Sequence, residues 1–368
     1  MSTGFTADQV QFREVVQRFL TAKSPPTEVR RLMATAEGFD REVWSQLCGE
    51  VGLAGTHLPE DYGGFGFGVV ELGIAAEEMG RHLYCGPFFS SAVMAAYAIL
   101  NAGSEEQKHA LLPGIAAGTT IATLALDDLN DFDQVGGSMS AASGALSGTA
   151  PMVVDAHVAD TLIVAAREDA NAPVGLYVVD AKAAGVSVRA LEVMDPTRKL
   201  ARVTLAQAPG KRLEGDANLA LLWDQLNTVL ACEMIGGASR LFDSTIDYMK
   251  MRVQFGRTIG SFQGLKHRCA DLLLELELAR AATYDAARVL AGQPGEPYAA
   301  SMAKAMAADA FVACAKQAIQ LRGGIGFTWE EDTHLWFKRA KSSEVFLGTP
   351  TWHRERMIRI LEAQEAAA

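Results

Sequence analysis

The chain has 368 residues, 49% of them hydrophobic and 21% charged, and its 33 Lys and Arg against 44 Asp and Glu give a net charge of −11. At about 100 to 200 residues per domain this predicts two or three domains with a sizeable core, which excludes a small disulfide-stapled scaffold. The acidic balance excludes a general nucleic-acid binder, whose surface must neutralise phosphates.

In chain order, MSTGFTADQVQFREVV lacks the charged-then-apolar pattern of a secretory signal. No later run reaches the roughly 18 to 20 apolar residues of a membrane span, so a cytoplasmic chain without a membrane partner is expected. DQVQFREVVQRFL and VVELGIAAEEMGRHL place apolar residues at helical spacing, with the glycine-rich loop LPEDYGGFGFG between them. SSAVMAAYAILNAG reads as a helix ending at Gly103, and Ser104 as the N-cap of SEEQKHALLPGIAAG.

From about residue 119 the texture changes. TTIATLALDD, GALSGTA, HVADTLIVAA, VGLYVVDA, GVSVRAL and ARVTLAQ are short, rich in Val, Ile, Leu and Thr, and separated by Gly, Asp, Asn and Pro. No helical stretch interrupts them, which predicts an antiparallel β domain and disfavours parallel βαβ units. After KRLEGDAN helical spacing returns over about 217–252, 262–292 and 297–322, then near 331–342 and 350–366, as expected of a bundle. The predicted plan is α+β: an N-terminal helical domain over 1–118, a middle antiparallel β domain over 119–212 and a C-terminal four-helix bundle over 213–368.

The five scattered cysteines read as buried thiols. The seven histidines show no HExxH and no pair at i,i+4, so no metal is expected, and GxSxG is absent. Two segments stand out. In YMKMRVQFGRTIGSFQGLKHRCADL, Arg252 and Phe255 lie three residues apart near a helix end, so a guanidinium and a ring share a face. The pair suits a nucleotide diphosphate, although basic residues also simply stabilise a helix C-terminus. In QAIQLRGGIGF, Gly323, Gly324 and Gly326 would let backbone approach a ligand closely. A helix C-cap accounts for one such glycine but poorly for three.

Over nearly its whole length the chain resembles the acyl-CoA dehydrogenase family. LPEDYGGFGFG, GSEEQKHALLPGIAAG, MDPTRKLARVTL and, most specifically, RVQFGRTIGSFQGLKHRCADL with QLRGGIGF carry the resemblance. It implies an oxidoreductase that introduces an α,β double bond into an acyl-CoA, with FAD as cofactor and an electron-transferring flavoprotein as acceptor. By the same resemblance Arg252, Phe255 and Gln263 would contact the pyrophosphate and adenosine of FAD. Gln320, Gly323 and Gly324 would meet the FAD of a neighbouring subunit.

The departures from the family are informative. Most members carry a basic glutamate just before a Gly-Thr; SEVFLGTP places Leu347 there. Others carry it on the first bundle helix, at the position of Leu226. Glu233 is seven residues further along that helix, about 10 Å at 1.5 Å per residue, and for Glu344 a surface role or a salt bridge with Lys341 is expected. The catalytic base is thus unassigned. LALDDLNDFDQVGGS replaces the usual TEPxxGSD-like segment, and the Lys-x-Trp turn is missing, so half of the expected flavin-ring contacts have no counterpart. The pattern resembles that of the base-lacking subunit in some bacterial heteromeric α2β2 members of the family, which are used particularly on steroid-derived CoA esters and place FAD between unlike chains. Alternatives are a homo-oligomeric dehydrogenase with a relocated base such as Glu233, and a catalytically silent structural or regulatory homologue.

Overall fold

The computed structural model describes residues 4–169 and 171–367. They divide into two compact units: a helical unit made of the chain up to Thr27, Gly73–Tyr84 and everything from Asn227 on, and a mixed unit of Glu28–Leu72 and Cys85–Leu226.

Helix α1 (Ala7–Lys23) starts in a capping box, where the Thr6 hydroxyl accepts from the Gln9 N–H and Gln9 Oε1 accepts from the Thr6 N–H. Helices α2 (Pro26–Met33), α3 (Arg41–Gly49) and α4 (Val69–Arg81) follow. The stretch read as one regular helix before Gly103 is not one: Phe88–Ala95 is a fully buried π-helix and only α5 (Ala96–Ala102) is α-helical. With every side chain of the π-helical segment buried, the apolar pattern carries no periodic signal to reveal the wider turn. Ser90 and Ser91 face buried partners, the first donating to Asp155 at 2.6 Å and the second accepting from the Ala122 N–H at 3.1 Å. Helix α6 (Glu105–Ala116) begins at Ser104 as expected, with Gln107 Oε1 accepting from the Ser104 N–H.

Eight strands follow: β1 (Ala122–Ala125), β2 (Ser140–Ala142), β3 (Ala145–Val154), β4 (Thr161–Ala166), β5 (Gly175–Asp180), β6 (Val186–Ala190), β7 (Leu200–Pro209) and β8 (Lys211–Arg212). They form two four-stranded sheets, ordered β1-β4-β5-β8 and β2-β3-β7-β6. The pairings are antiparallel as expected, except that β1 and β4 run parallel, Ala122 opposite Thr161. The chain leaves β1, builds the β2–β3 hairpin in the other sheet and then returns, so no tight turn dictates the direction of β4.

The bundle helices are α7 (Leu219–Met251), α8 (Gln263–Leu290), α9 (Ala299–Arg322), α10 (Thr333–Val345) and α11 (Pro350–Ala367), with a hairpin of β9 (Val253–Gln254) and β10 (Arg257–Thr258) after α7. Within the helical unit α4 and α7 touch backbone to backbone. A Cβ at Gly80 would lie 1.9 Å from the Glu233 carbonyl oxygen, and one at Gly236 1.8 Å from that of Glu77. The flanking carboxylates are buried and paired. Glu77 accepts from Arg13 Nη2 and the Tyr284 hydroxyl, each at 2.5 Å, and lies 3.2 Å from Arg280 Nη1. All five cysteines are buried free thiols, as read from the sequence.

Glu78, beside that cluster, is pushed up to about 7 by burial and by the Glu77 charge, against the pull of Arg13, Arg81 and Arg280. A carboxyl whose folded pKa is raised holds its proton more firmly in the native state. Its favourable contribution is complete below the unfolded value and is lost as pH rises through about 7. Glu78→Gln is therefore expected to flatten the fall in melting temperature between about pH 4.5 and 7, an interval bracketed by those two values. An unchanged slope would show that Glu78 ionises without penalty.

Candidate functional site

The six nucleotide-contact candidates all lie at one end of the helical unit. Helix α7 ends where the Arg252 N–H donates to the Tyr248 carbonyl at 2.8 Å, and the chain then enters the β9–β10 hairpin. Both central turn residues are left-handed, Phe255 at φ 54° and Gly256 at φ 75°. A two-residue hairpin of this type favours Asn-Gly, and a non-glycine residue held at positive φ costs about 1 to 2 kcal/mol. Phe255 accepts that strain and is still 91% exposed, with its ring edge-on to Phe262 at 6.1 Å. The arrangement displays an aromatic face rather than burying one.

Arg252 is exposed too, and its guanidinium makes no hydrogen bond or ion pair with another described residue. Gln263 is the first residue of α8, whose N-terminus no side chain caps. Its first N–H groups, at the positive end of the helix dipole, are open to an anion. Nearby, Arg257 lies over the Phe262 ring at 4.0 Å.

Gln320 is exposed on the last turn of α9, and Gly323 follows at φ 65°, ψ −140°, a conformation essentially restricted to glycine. A Cβ at Gly323 or Gly324 would meet nothing within 4 Å, so this backbone is accessible from outside. One small core holds both segments. Met249, Ile259, Cys269 and Leu321 are buried together, flanked by Phe242, Ile246, Tyr248, Phe262 and Leu265. The structure thus gathers Arg252, Phe255 and Gln263 on one side of a cluster that also carries the α9 end with Gln320, Gly323 and Gly324.

The two candidate base positions lie apart from that cluster in character. Leu226 is completely buried in the mixed unit among Leu124, Leu126, Phe132, Val135, Leu222 and Trp223, around a residual cavity of only about 10 Å³. That is room for roughly one water, against about 300 Å³ or more for an organic ligand. The Phe132 and Trp223 rings sit 5.5 Å apart across it. The preceding loop satisfies itself: Asp127 accepts from the Gly136 and Ser138 N–H groups, each at 2.6 Å.

Leu347 is fully buried at φ 58°, in a loop whose Gly348 carbonyl accepts from the buried Lys304 Nζ at 3.0 Å. His353 Nε2 lies 2.9 Å from the Leu347 carbonyl oxygen, and burial pushes this imidazole down to about 3, so it is neutral and donates. Glu233 is buried with its Oε1 accepting from Arg339 Nη1 at 2.8 Å. Glu344 pairs with Lys341, as the sequence led us to expect.

Sequence reasoning missed Arg322, which is buried at the end of α9 and tied to α7 and to Glu331. The available signal was a charged residue closing an otherwise apolar helix. The plug of Phe132 and Trp223 was also missed, because the loop and helix that bring them together are distant in sequence.

Comparison with known proteins agrees with this architecture. A family model described as acyl-CoA dehydrogenase, C-terminal domain, matches residues 226–362, and the N-terminal domain model matches 6–119. The chain is 33% identical to acyl-CoA dehydrogenase IpdE2 of Mycobacterium tuberculosis, covering 97% of each chain. It is 34% identical to IpdE2 of Mycolicibacterium smegmatis, over 96% of this chain and 97% of that one. Among solved structures it superposes on a chain of the ChsE4-ChsE5 complex from Mycobacterium tuberculosis with a TM-score of 0.90 at 28% identity, covering 98% of this chain and 99% of the other. A variant of the Tcur3481-Tcur3483 steroid acyl-CoA dehydrogenase gives 0.88 at 30% identity with the same coverage. Fold and sequence together make this chain a member of the acyl-CoA dehydrogenase family, a family of oxidoreductases.

Proposed function

We propose that the chain is the base-lacking subunit of a heteromeric, FAD-dependent acyl-CoA dehydrogenase acting on steroid-derived CoA thioesters in the cytoplasm, with an electron-transferring flavoprotein as acceptor. Its parts are the three domains 1–118, 119–212 and 213–368. The observation that carries the reading is an asymmetry within one chain. The end of the helical unit suits the adenosine diphosphate half of FAD, with an uncommitted Arg252, a strained and displayed Phe255, an uncapped helix start at Gln263 and open glycine backbone at Gly323 and Gly324. The region around Leu226 does not suit a flavin ring or an acyl chain, because Phe132 and Trp223 fill it.

FAD, when bound, accepts the hydride from the β carbon. This chain's own residues would grip the nucleotide: Arg252 through charge-assisted bonds to pyrophosphate, Phe255 by covering an apolar face, Gln263 beside them and Gln320 with the two glycines against a nucleotide of the adjoining subunit. Proton removal falls to the other subunit, since neither leucine can accept a proton. The names of the structural relatives, a two-component complex and a steroid acyl-CoA dehydrogenase, support both the pairing and the substrate class.

Arg252→Ala is expected to weaken FAD binding to the assembled oligomer about ten- to a hundredfold, the usual worth of a charge-assisted contact. Flavin absorbance per oligomer after gel filtration measures it. Unchanged flavin content would remove Arg252 from the site, and an assembly that holds no flavin would favour a purely structural homologue.

A further inference from the structure

We infer that Arg322 is a positioning residue: its guanidinium fixes the Gly323–Gly324 backbone and Gln320 for the nucleotide and couples that loop to the end of α7 that carries Arg252. The inference rests on the nucleotide-gripping role proposed above.

Arg322 points inward while the two residues after it face out. It is buried, donating through Nη1 to the Thr245 hydroxyl at 2.9 Å and the Ala318 carbonyl at 3.2 Å, and through Nη2 to the Ser244 hydroxyl at 3.1 Å. Its Nε lies 3.2 Å from Glu331 Oε1, at the far end of the loop that Gly323 opens. The guanidinium also sits 5.4 Å from the centre of the Tyr248 ring, and the Tyr248 hydroxyl donates to the Arg322 carbonyl at 3.5 Å. One side chain therefore closes the loop from Gly323 to Glu331 and pins it to Ser244, Thr245 and Tyr248 of α7.

Tyr248 is four residues before Arg252 and accepts its N–H, so the same strut reaches the start of the hairpin. Elsewhere the loop is held by Trp329, whose ring meets that of His334 at 4.6 Å and lies 4.6 Å from Lys338 Nζ. Gly323 and Gly324 have open space around them, while Ile325, Phe327 and Trp329 are exposed. Gly326 alone turns back, close against the Ile319 carbonyl. A planar guanidinium with several fixed donors is suited to such a junction, whereas a lysine offers one point charge and cannot span the same partners.

The test uses the flavin-containing assembly of this chain with its glutamate-bearing homologue, stripped of flavin and titrated with FAD. Arg322→Met is expected to raise the dissociation constant about tenfold and to alter the visible circular dichroism of the bound flavin, with the oligomer unchanged on gel filtration. Arg322→Lys is not expected to rescue it. Glu331→Gln, which opens the clasp without emptying the buried site, is expected to act in the same direction and decides the matter should Arg322→Met fail to fold. Thr245→Ser keeps the accepting hydroxyl and should bind FAD as the unaltered assembly does, while Thr245→Val should not.

Weakened binding by Arg252→Ala with wild-type affinity and spectra in the Arg322 and Glu331 variants would overturn this inference alone. Wild-type affinity in all of them, or no FAD in the assembly, would overturn the nucleotide-gripping role as well.

Discussion

Purified alone, the chain is expected to show almost no acyl-CoA dehydrogenation, and turnover should appear when it is co-expressed with a homologue that carries the glutamate. The α proton of a thioester leaves to a positioned base, and loss of a general base lowers the rate by about 10² to 10⁴. Both positions at which the resemblance places that base hold completely buried leucines, Leu226 and Leu347. The remaining candidate, Glu233, is engaged by Arg339 at 2.8 Å. Glu233→Gln is accordingly expected to leave the low rate of the isolated chain unchanged while costing up to about 3 to 5 kcal/mol of stability, because it removes the negative charge from a buried ion pair. Flavin reduction by acyl-CoA in a stopped-flow cell, with and without the second subunit, measures the effect. Robust turnover by the isolated chain, abolished by Glu233→Gln in a folded and flavin-loaded protein, would refute the division of labour and establish a relocated base.

The legible parts of this fold are those written in local chemistry. Ser104 announces α6, the pattern of DQVQFREVV announces α1, and the strands stand out by β-branched residues between turn formers. The two candidate segments could be picked out because Arg252, Phe255 and Gln263 fall in one short motif, and Gln320, Gly323 and Gly324 in another. What stayed hidden depends on partners far away in the chain. Phe255 in a left-handed turn contradicts turn propensity. The π-helix at Phe88–Ala95 lies in an all-buried run without period. The plug of Phe132 and Trp223 joins a loop of the β region to the first turns of α7, and no spacing in the sequence announces that meeting. Arg322 could have been suspected from its charge, but its work depends on Ser244 and Thr245 across the bundle.

Gly236→Ala is expected to impair folding severely. In a helix interior the exchange ordinarily stabilises, by about 0.5 to 1 kcal/mol. Here the new carbon would lie 1.8 Å from the Glu77 carbonyl oxygen, 2.7 Å from its carbon and 3.0 Å from Cα. These are backbone atoms of α4 and cannot swing aside as a side chain would. Relief requires the two helices to part, and the reciprocal contact, Gly80 against the backbone of Glu233, parts with them. Separation would also stretch the bonds that Glu77 accepts from Arg13 and Tyr284 and its ion pair with Arg280, leaving buried charges short of partners. Overpacking alone costs about 1 to 3 kcal/mol, and a disrupted buried ion pair adds a comparable amount, so the variant should lose several kcal/mol or fail to fold. Gly49→Ala is the control, since a Cβ there meets nothing within 4 Å, and its melting temperature should stay level or rise. Equal melting temperatures for the two variants would mean that α4 and α7 can slide apart freely, and would remove the close helix crossing as a determinant of this bundle.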